Sequence, residues 1–250
     1  MKNATIHQPY FLPWIGYFTK LAHSDVFIVL DDVNFRDRFY QKRAQFLNTN
    51  NKKKYLSLKV GHNYNIKLNN VTFDFEKDKF IRKSLITLEQ AYSKYQHFEK
   101  EWTDFRDVFR LIIRENNRLL DINIKFIEYF LEILNIRDLE IVYSSQFLNK
   151  KKYTPTERYI ALCNRGKINT IITGSGKSLN VHNLNLLIEN DINIKIQYYN
   201  SIKSKFSHQL PDIDLNLSII HYLFRIGRLE LERVIKHTDF EPRLFKYEGY

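Results

Sequence analysis

Cysteine occurs once, at Cys163, so the chain cannot close an internal disulfide or build a cysteine-rich metal site. Its setting, Arg158-Tyr159-Ile160-Ala161-Leu162-Cys163, is apolar and helical, which reads as a buried, inert thiol and not a nucleophile. The histidines are scattered, without H-x-x-x-H or H-E-x-x-H spacing, so no metal centre is expected. A serine-hydrolase elbow, G-x-S-x-G, is missing. The nucleic-acid modules with recognisable signatures are missing too. No apolar run approaches the ~20 residues that a membrane span requires. Met1-Lys2-Asn3 leads into prolines and aromatics without a secretory h-region, so the expected compartment is the cytoplasm. Glycine is also scarce, with seven in 250 residues, which makes two glycines in one short turn conspicuous.

What the chain does have is apolar and aromatic surface. Hydrophobic residues make up 44% and aromatics 15%, ample for one large domain or a domain with a helical appendage. The net charge of +11 points to an anionic partner: nucleotide, nucleic acid or anionic surface. The basic runs Lys52-Lys53-Lys54 and Lys150-Lys151-Lys152 are short and read as solvated loop ends. Heavy use of Asn, Lys and Ile reflects a compositional bias of the source genome, which lowers the weight of any single lysine.

Ala4 to Ile6 reads as a first strand with His7 at its end. Pro9 and Pro13 then exclude a helix or a central strand and define a shaped loop, one that carries Tyr10, Phe11, Leu12 and Trp14. The spacing predicts a helix over Trp14 to His23. Val26 to Leu30 is continuously apolar and is expected to be a strand buried on both faces of a parallel sheet. Tyr55 to Val60 alternates as a further strand. From Asp78 to Leu134 apolar residues recur at three and four, a helical block in which aromatic stripes form core. The α/β rhythm then returns. Strands are expected at Glu140–Tyr143, Asn169–Thr173 and Asn193–Tyr198, with helices at Pro155–Asn164, Leu184–Glu189 and Leu215–Gly227, the last ending at its glycine. The expected fold is α/β: a mostly parallel, Rossmann-like sheet of nucleotidyltransferase-like layout with an inserted helical block. Its parts are a first α/β half (1–77), the helical insertion (78–136) and a second α/β half with C-terminal helices (137–250).

Three constellations carry chemistry. His7 with Gln8, at a strand end before an irregular turn, either meets a phosphate or acts as an acid/base, or else caps its turn by bonding to backbone. Asp31-Asp32-Val33-Asn34-Phe35 follows the second strand, with Arg36, Arg38, Lys42 and Arg43 beyond it. Carboxylates there bind ribose hydroxyls, Mg²⁺ or a substrate amine, or they close an ordinary salt-bridged loop. Gly174-Ser175-Gly176-Lys177-Ser178 follows a strand and resembles the tail of a P-loop. The full Walker spacing fails, because Ile171 stands where the first glycine belongs. What remains is an anion nest of Gly174, Ser175, Gly176 and Lys177, or a plain strand-to-helix turn.

The opening His7 to Phe18, then Asp25-Val26-Phe27, Leu30 to Phe35 and Arg43, resembles the WbqC-like family. The likeness continues through Thr156 to Arg158, Thr173 to Gly176, Gln209, Leu217 to Ile220 and Leu223 to Gly227. Two positions depart: Lys42 stands where Asn is expected and His221 where Asp is expected. The family is similar to proteins of bacterial O-antigen and capsule gene clusters. The resemblance implies lipopolysaccharide biosynthesis and a transferase that places an acyl group, glycyl among them, on the amine of a nucleotide-linked amino-deoxy sugar. His7, Asp31 and Asp32 would be catalytic, while Gln8, Tyr10, Trp14, Asn34, Phe35 and Arg43 would bind substrate. Gly174 to Lys177 would hold phosphate. The acyl donor stays open among free amino acid with ATP and Mg²⁺, a charged tRNA and a thioester. A layout like that of nucleotidylyl-transfer proteins adds an ATP-dependent amide ligase as an alternative, with His7 aiding departure of pyrophosphate and Asp31 or Asp32 as the base that takes the attacking amine's proton. Outside enzymes, the competing readings are a tRNA-binding module and a scaffold for a glycosyltransferase complex.

Overall fold

A computed structural model describes residues 2–61, 65–73, 76–148, 152–176, 179–206, 214–238 and 240–243. The elements run β1 (Asn3–His7), α1 (Ile15–Ala22), β2 (Val26–Val29), β3 (Arg43–Leu47), β4 (Lys53–Ser57), α2 (Lys77–Tyr92), α3 (Phe98–Glu115), α4 (Leu119–Ile133), β5 (Glu140–Tyr143) and α5 (Ser144–Phe147). They continue with α6 (Pro155–Gly166), β6 (Thr170–Gly174), α7 (Leu184–Ile188), β7 (Asn193–Gln197), α8 (Tyr199–Phe206), α9 (Ile219–Lys236) and β8 (Glu241–Arg243).

The main sheet has the order β5-β2-β1-β6-β7-β8. Its first five strands are parallel and β8 is antiparallel to β7. The α/β expectation holds. The unbroken run in β2 has a direct cause: Phe27 and Val29 enter one core, while Val26 and Ile28 enter the other. Side chains alternate across a strand, so a strand covered on both faces must be apolar at every position.

The two cores differ in size. The larger lies under α1 and α9 and takes in Ile81, Leu85 and Leu88 of α2, Phe105 and Phe109 of α3, and Phe126 and Phe130 of α4. The helical block therefore shares its core with the first α/β half. The smaller core packs Leu162 and Cys163 of α6 and Leu187 of α7 on the opposite face. Burial pushes the Cys163 thiol up to about 12, so it stays protonated, as its apolar setting leads one to expect.

Several elements differ from the sequence reading. β3 and β4 form a separate antiparallel hairpin. Only Ala44, Phe46 and Leu56 of it are buried, and β4 ends before Val60. α8 buries Ile202 and Phe206 alone. Gly227 does not end α9. Its φ of 76° kinks the helix, which then resumes and buries Leu231, Val234 and Ile235. A Cβ at Gly227 would come within 2.6 Å of the His97 ring, so the kink and the packing both require glycine.

Candidate functional site

Parallel pairing lines up the carboxyl ends of the strands. His7 stands opposite Val29, Val29 opposite Tyr143, and Gly174 opposite Gln197. The order of strands reverses between β1 and β6, the topological switch point where open α/β sheets hold ligands. β1 and β6 pair at their amino ends, Asn3 with Thr170 and Ala4 with Ile171, and from there run on to His7 and Gly174. The same offset brings the histidine and the glycine turn level across the crevice.

His7 is partly buried at this edge. Its ring meets Tyr10 at 4.7 Å, Tyr17 at 4.9 Å and Trp14 at 6.1 Å, each edge to face. Burial, then the nearby Lys20 ammonium, holds its imidazole well below the ordinary 6.5, so the ring is neutral. Nδ1 lies 2.9 Å from the Gln8 carbonyl, and that oxygen can only accept. Nδ1 therefore carries the proton and Nε2 keeps a lone pair. The backbone-capping role and an acid/base role are thus compatible: the first fixes the tautomer that the second uses.

The loop after His7 is rigid for physical reasons. Phe11 and Leu12 are core residues, with Phe11 against Phe126 at 5.5 Å, and they do not face a ligand. Leu12 adopts a φ of 43°, a conformation an L residue adopts at a cost on the order of 1–2 kcal/mol. Three hydrogen bonds hold it there. Ser218 Oγ donates to Leu12 O at 2.8 Å, Ile219 N to Pro13 O at 2.8 Å and Phe11 N to Tyr40 O at 3.0 Å. Buried amides lace this loop to the one after β2. Gln41 Nε2 donates to Gln8 Oε1 at 2.9 Å, and Asn123 Nδ2 donates to Pro9 O at 3.0 Å and Gln41 O at 2.7 Å. Gln41 and Asn123 were not picked out from sequence, since each looks like an ordinary polar residue until its two loops meet.

Tyr10, Trp14, Tyr17, Phe39 and Tyr40 form one aromatic wall, with Trp14 5.4 Å from both Tyr10 and Tyr40. Burial raises the Tyr10 hydroxyl well above its ordinary value, and the Tyr159 hydroxyl reinforces this. Tyr159 itself donates to Ile6 O at 3.2 Å. Arg43 joins the rim: its guanidinium lies 4.3 Å over Tyr55, and its charge reaches Tyr40. Tyr17 was legible in principle, since it falls one helical turn after Trp14.

The acidic pair is built into the frame. Asp31 is buried and accepts from Ser144 Oγ at 3.1 Å, Ser145 N at 3.0 Å, Ser145 Oγ at 2.6 Å and Asn69 Nδ2 at 3.3 Å. Asp32 pairs with Arg158 and shares the single Ser144 hydroxyl proton with Asp31. This is the salt-bridged alternative. Carboxylates saturated by donors and a guanidinium do not fit a Mg²⁺ ion, and among the described residues no three His, Cys, Asp or Glu side chains cluster as metal ligands. Asn34 is exposed and accepts from Lys67 Nζ at 2.9 Å, while Phe35 packs on the larger core. Neither ring-stacks with the His7 cluster, but Gln41 Nε2 links the Asn34 carbonyl at 3.4 Å to Gln8 Oε1 at 2.9 Å.

Across the switch point, Ser175 N donates to Gln197 O at 3.0 Å, fixing the turn after β6. A Cβ at Gly174 or Gly176 would meet nothing within 4 Å, and neither has a positive φ. Among the described residues nothing crowds a Cβ at either glycine. Lys177 and Gln209 lie outside the described residues. Of the two departures, Lys42 bonds Asp37 at 2.5 Å, and His221 is buried among Tyr92, Tyr95 and Tyr222.

The family model of the WbqC-like protein family matches residues 8–232. The chain belongs to the WbqC-like family. The match opens at Gln8, one residue past His7, and runs into α9, so it takes in the aromatic loop, the acidic pair and the glycine turn of this WbqC-like protein. No curated protein and no solved structure matches the chain. Among the described residues no helix is long and apolar enough to cross a membrane.

Proposed function

We propose that this WbqC-like protein is a cytoplasmic transferase that acylates, with glycyl as the leading group, the amine of a nucleotide-linked amino-deoxy sugar in surface-polysaccharide synthesis. The observation that carries the reading is His7 itself: a neutral imidazole at the switch-point crevice, its tautomer set by the Gln8 carbonyl, its Nε2 left as a base. In the reaction the sugar amine attacks the donor carbonyl and the new N–C bond forms. The amine proton passes to His7 Nε2, the bond to the leaving group breaks, and His7 returns the proton to that group. Asp31 and Asp32 hold the strand ends that frame the crevice, so the base role falls to His7. Tyr10 is buried behind the wall; the half-buried Trp14 and Tyr40 offer ring faces to sugar or base, the Gln8 amide and Arg43 supply donors, and the Gly174–Gly176 turn leaves room for phosphate.

Mass spectrometry of the protein incubated with a dTDP-linked 4-amino-4,6-dideoxy sugar, glycine and ATP, with and without glycine-charged tRNA, tests this. A glycyl gain on the sugar is expected, and the component it depends on names the donor. No gain in either mixture overturns the transferase reading. Steeply salt-dependent RNA binding would then favour the nucleic-acid module.

A further inference from the structure

Lys20 has no part in the reaction described above, yet its position is costly. It is 5% exposed, and among the described residues its ammonium makes no ion pair or hydrogen bond and keeps only slight contact with solvent. Its charge meets only a ring face, that of Tyr17 at 5.8 Å, and it bears on His7. Removing an ammonium from water without a counter-charge costs several kcal/mol. A core position chosen for stability alone would carry an apolar side chain.

The direction of the side chain says what it waits for. Long side chains on a helix lean toward its N-terminus, and α1 begins at the carboxyl edge of the sheet. The Tyr17 and His7 neighbours agree with that lean. α1 packs on β1 and β6, the two strands that flank the switch point. Lys20 thus places a positive charge on the inner side of the helix that flanks the switch point, beside the Tyr17 ring that in turn meets His7 at 4.9 Å.

We infer that Lys20 is the interior half of an oxyanion site: its ammonium receives a phosphate oxygen of the nucleotide-linked substrate, whose other oxygens face the Gly174–Gly176 turn. This rests on the crevice being a nucleotide-sugar site. It also gives the bound phosphate a task. Burial is the larger cause of the lowered imidazole, and an anion seated between Lys20 and His7 offsets the Lys20 share of it, so His7 becomes a somewhat stronger base once substrate is in place.

Calorimetric titration of the whole chain with dTDP and with pyrophosphate, for wild type, Lys20→Met and Lys20→Arg, reads this out. Lys20→Met is expected to weaken both by about 30-fold, the worth of a charged hydrogen bond, while melting no lower than wild type. Lys20→Arg should keep most of the affinity. NMR of the wild-type His7 ring needs no variant, and pyrophosphate should raise its pKa. Unchanged affinity in Lys20→Met, no His7 shift, or no binding of either probe by wild type overturns the inference. A protein that binds dTDP through Lys20 but transfers no acyl group loses the transferase reading and keeps this one.

Discussion

Arg158 on α6 closes an ion pair with Asp32 at the end of β2, across 126 residues of chain. The same guanidinium donates to Ser144 Oγ at 3.1 Å, and that hydroxyl also serves Asp31. One basic residue therefore ties together the ends of β2 and β5 and the start of α6.

Breaking that tie should cost stability and leave His7 in place. Both side chains are about a quarter exposed, at 21% and 26%, so water blunts the loss. Arg158→Met is expected to lower unfolding free energy by about 1–3 kcal/mol in urea denaturation. Adding Asp32→Asn should return part of it, because the orphaned carboxylate goes too. Strictly additive losses would show that the two side chains do not act as a pair.

His7→Ala should keep the wild-type melting temperature and lower transfer by about 100-fold or more. The base form is the neutral ring, and the folded pKa is depressed. Activity is therefore expected to be level above pH 6.5 and to fall only as pH drops through the lower folded value. A fully active His7→Ala enzyme removes the residue from the mechanism.

Much of this frame was legible in residues. Val26-Phe27-Ile28-Val29 announced a strand covered on both faces, and the three-and-four spacing from Phe80 to Leu134 announced α2 to α4. β3 was missed because Arg43-Ala44-Gln45-Phe46-Leu47 turns only two side chains inward, too short an alternation to stand out. Gly227 was read as a stop because its positive φ is what ends most helices, and the apolar positions beyond it, which call the helix back, are few.

At the site, the aromatic loop could be located from its prolines and rings, because those are local signals. The state of Asp31 and Asp32 could not, since their partners come from Ser144, Ser145 and Arg158, far along the chain. Lys20 was hidden for another reason. A lysine on an amphipathic helix is normally a solvated residue, and only packing shows that this one is not.

His221 should make the protein sensitive to mild acid. Burial, then the Arg225 charge, lowers its imidazole from 6.5 to about 4, and Nδ1 has no hydrogen-bond partner. Between these values the unfolded chain binds a proton that the folded one does not, so stability is full above 6.5 and is lost as pH falls toward 4. From pH 7 to pH 5 this histidine accounts for about 2 kcal/mol. His221→Leu should flatten that part of the urea-denaturation pH profile. His7 and His182, lowered in the same direction, supply the slope that remains. An unchanged slope in the variant would place the sensitivity elsewhere.

The glycine turn allows binding to be separated from folding. Gly174 and Gly176 have ordinary φ values and open space where a Cβ would go, so alanine at either position strains nothing. Alanine also narrows the unfolded ensemble, which raises stability by about 0.4–1 kcal/mol. If a phosphate lies over this turn, the added methyl occupies its approach. Gly174→Ala and Gly176→Ala are therefore expected to melt at or slightly above wild type while binding dTDP about 10-fold more weakly. A residue conserving the fold would show the reverse pattern, with lower melting and unchanged binding. Variants that bind dTDP as wild type does would take the phosphate off this turn, leaving Lys20 and Arg43 as the positive groups on which nucleotide affinity at the crevice depends.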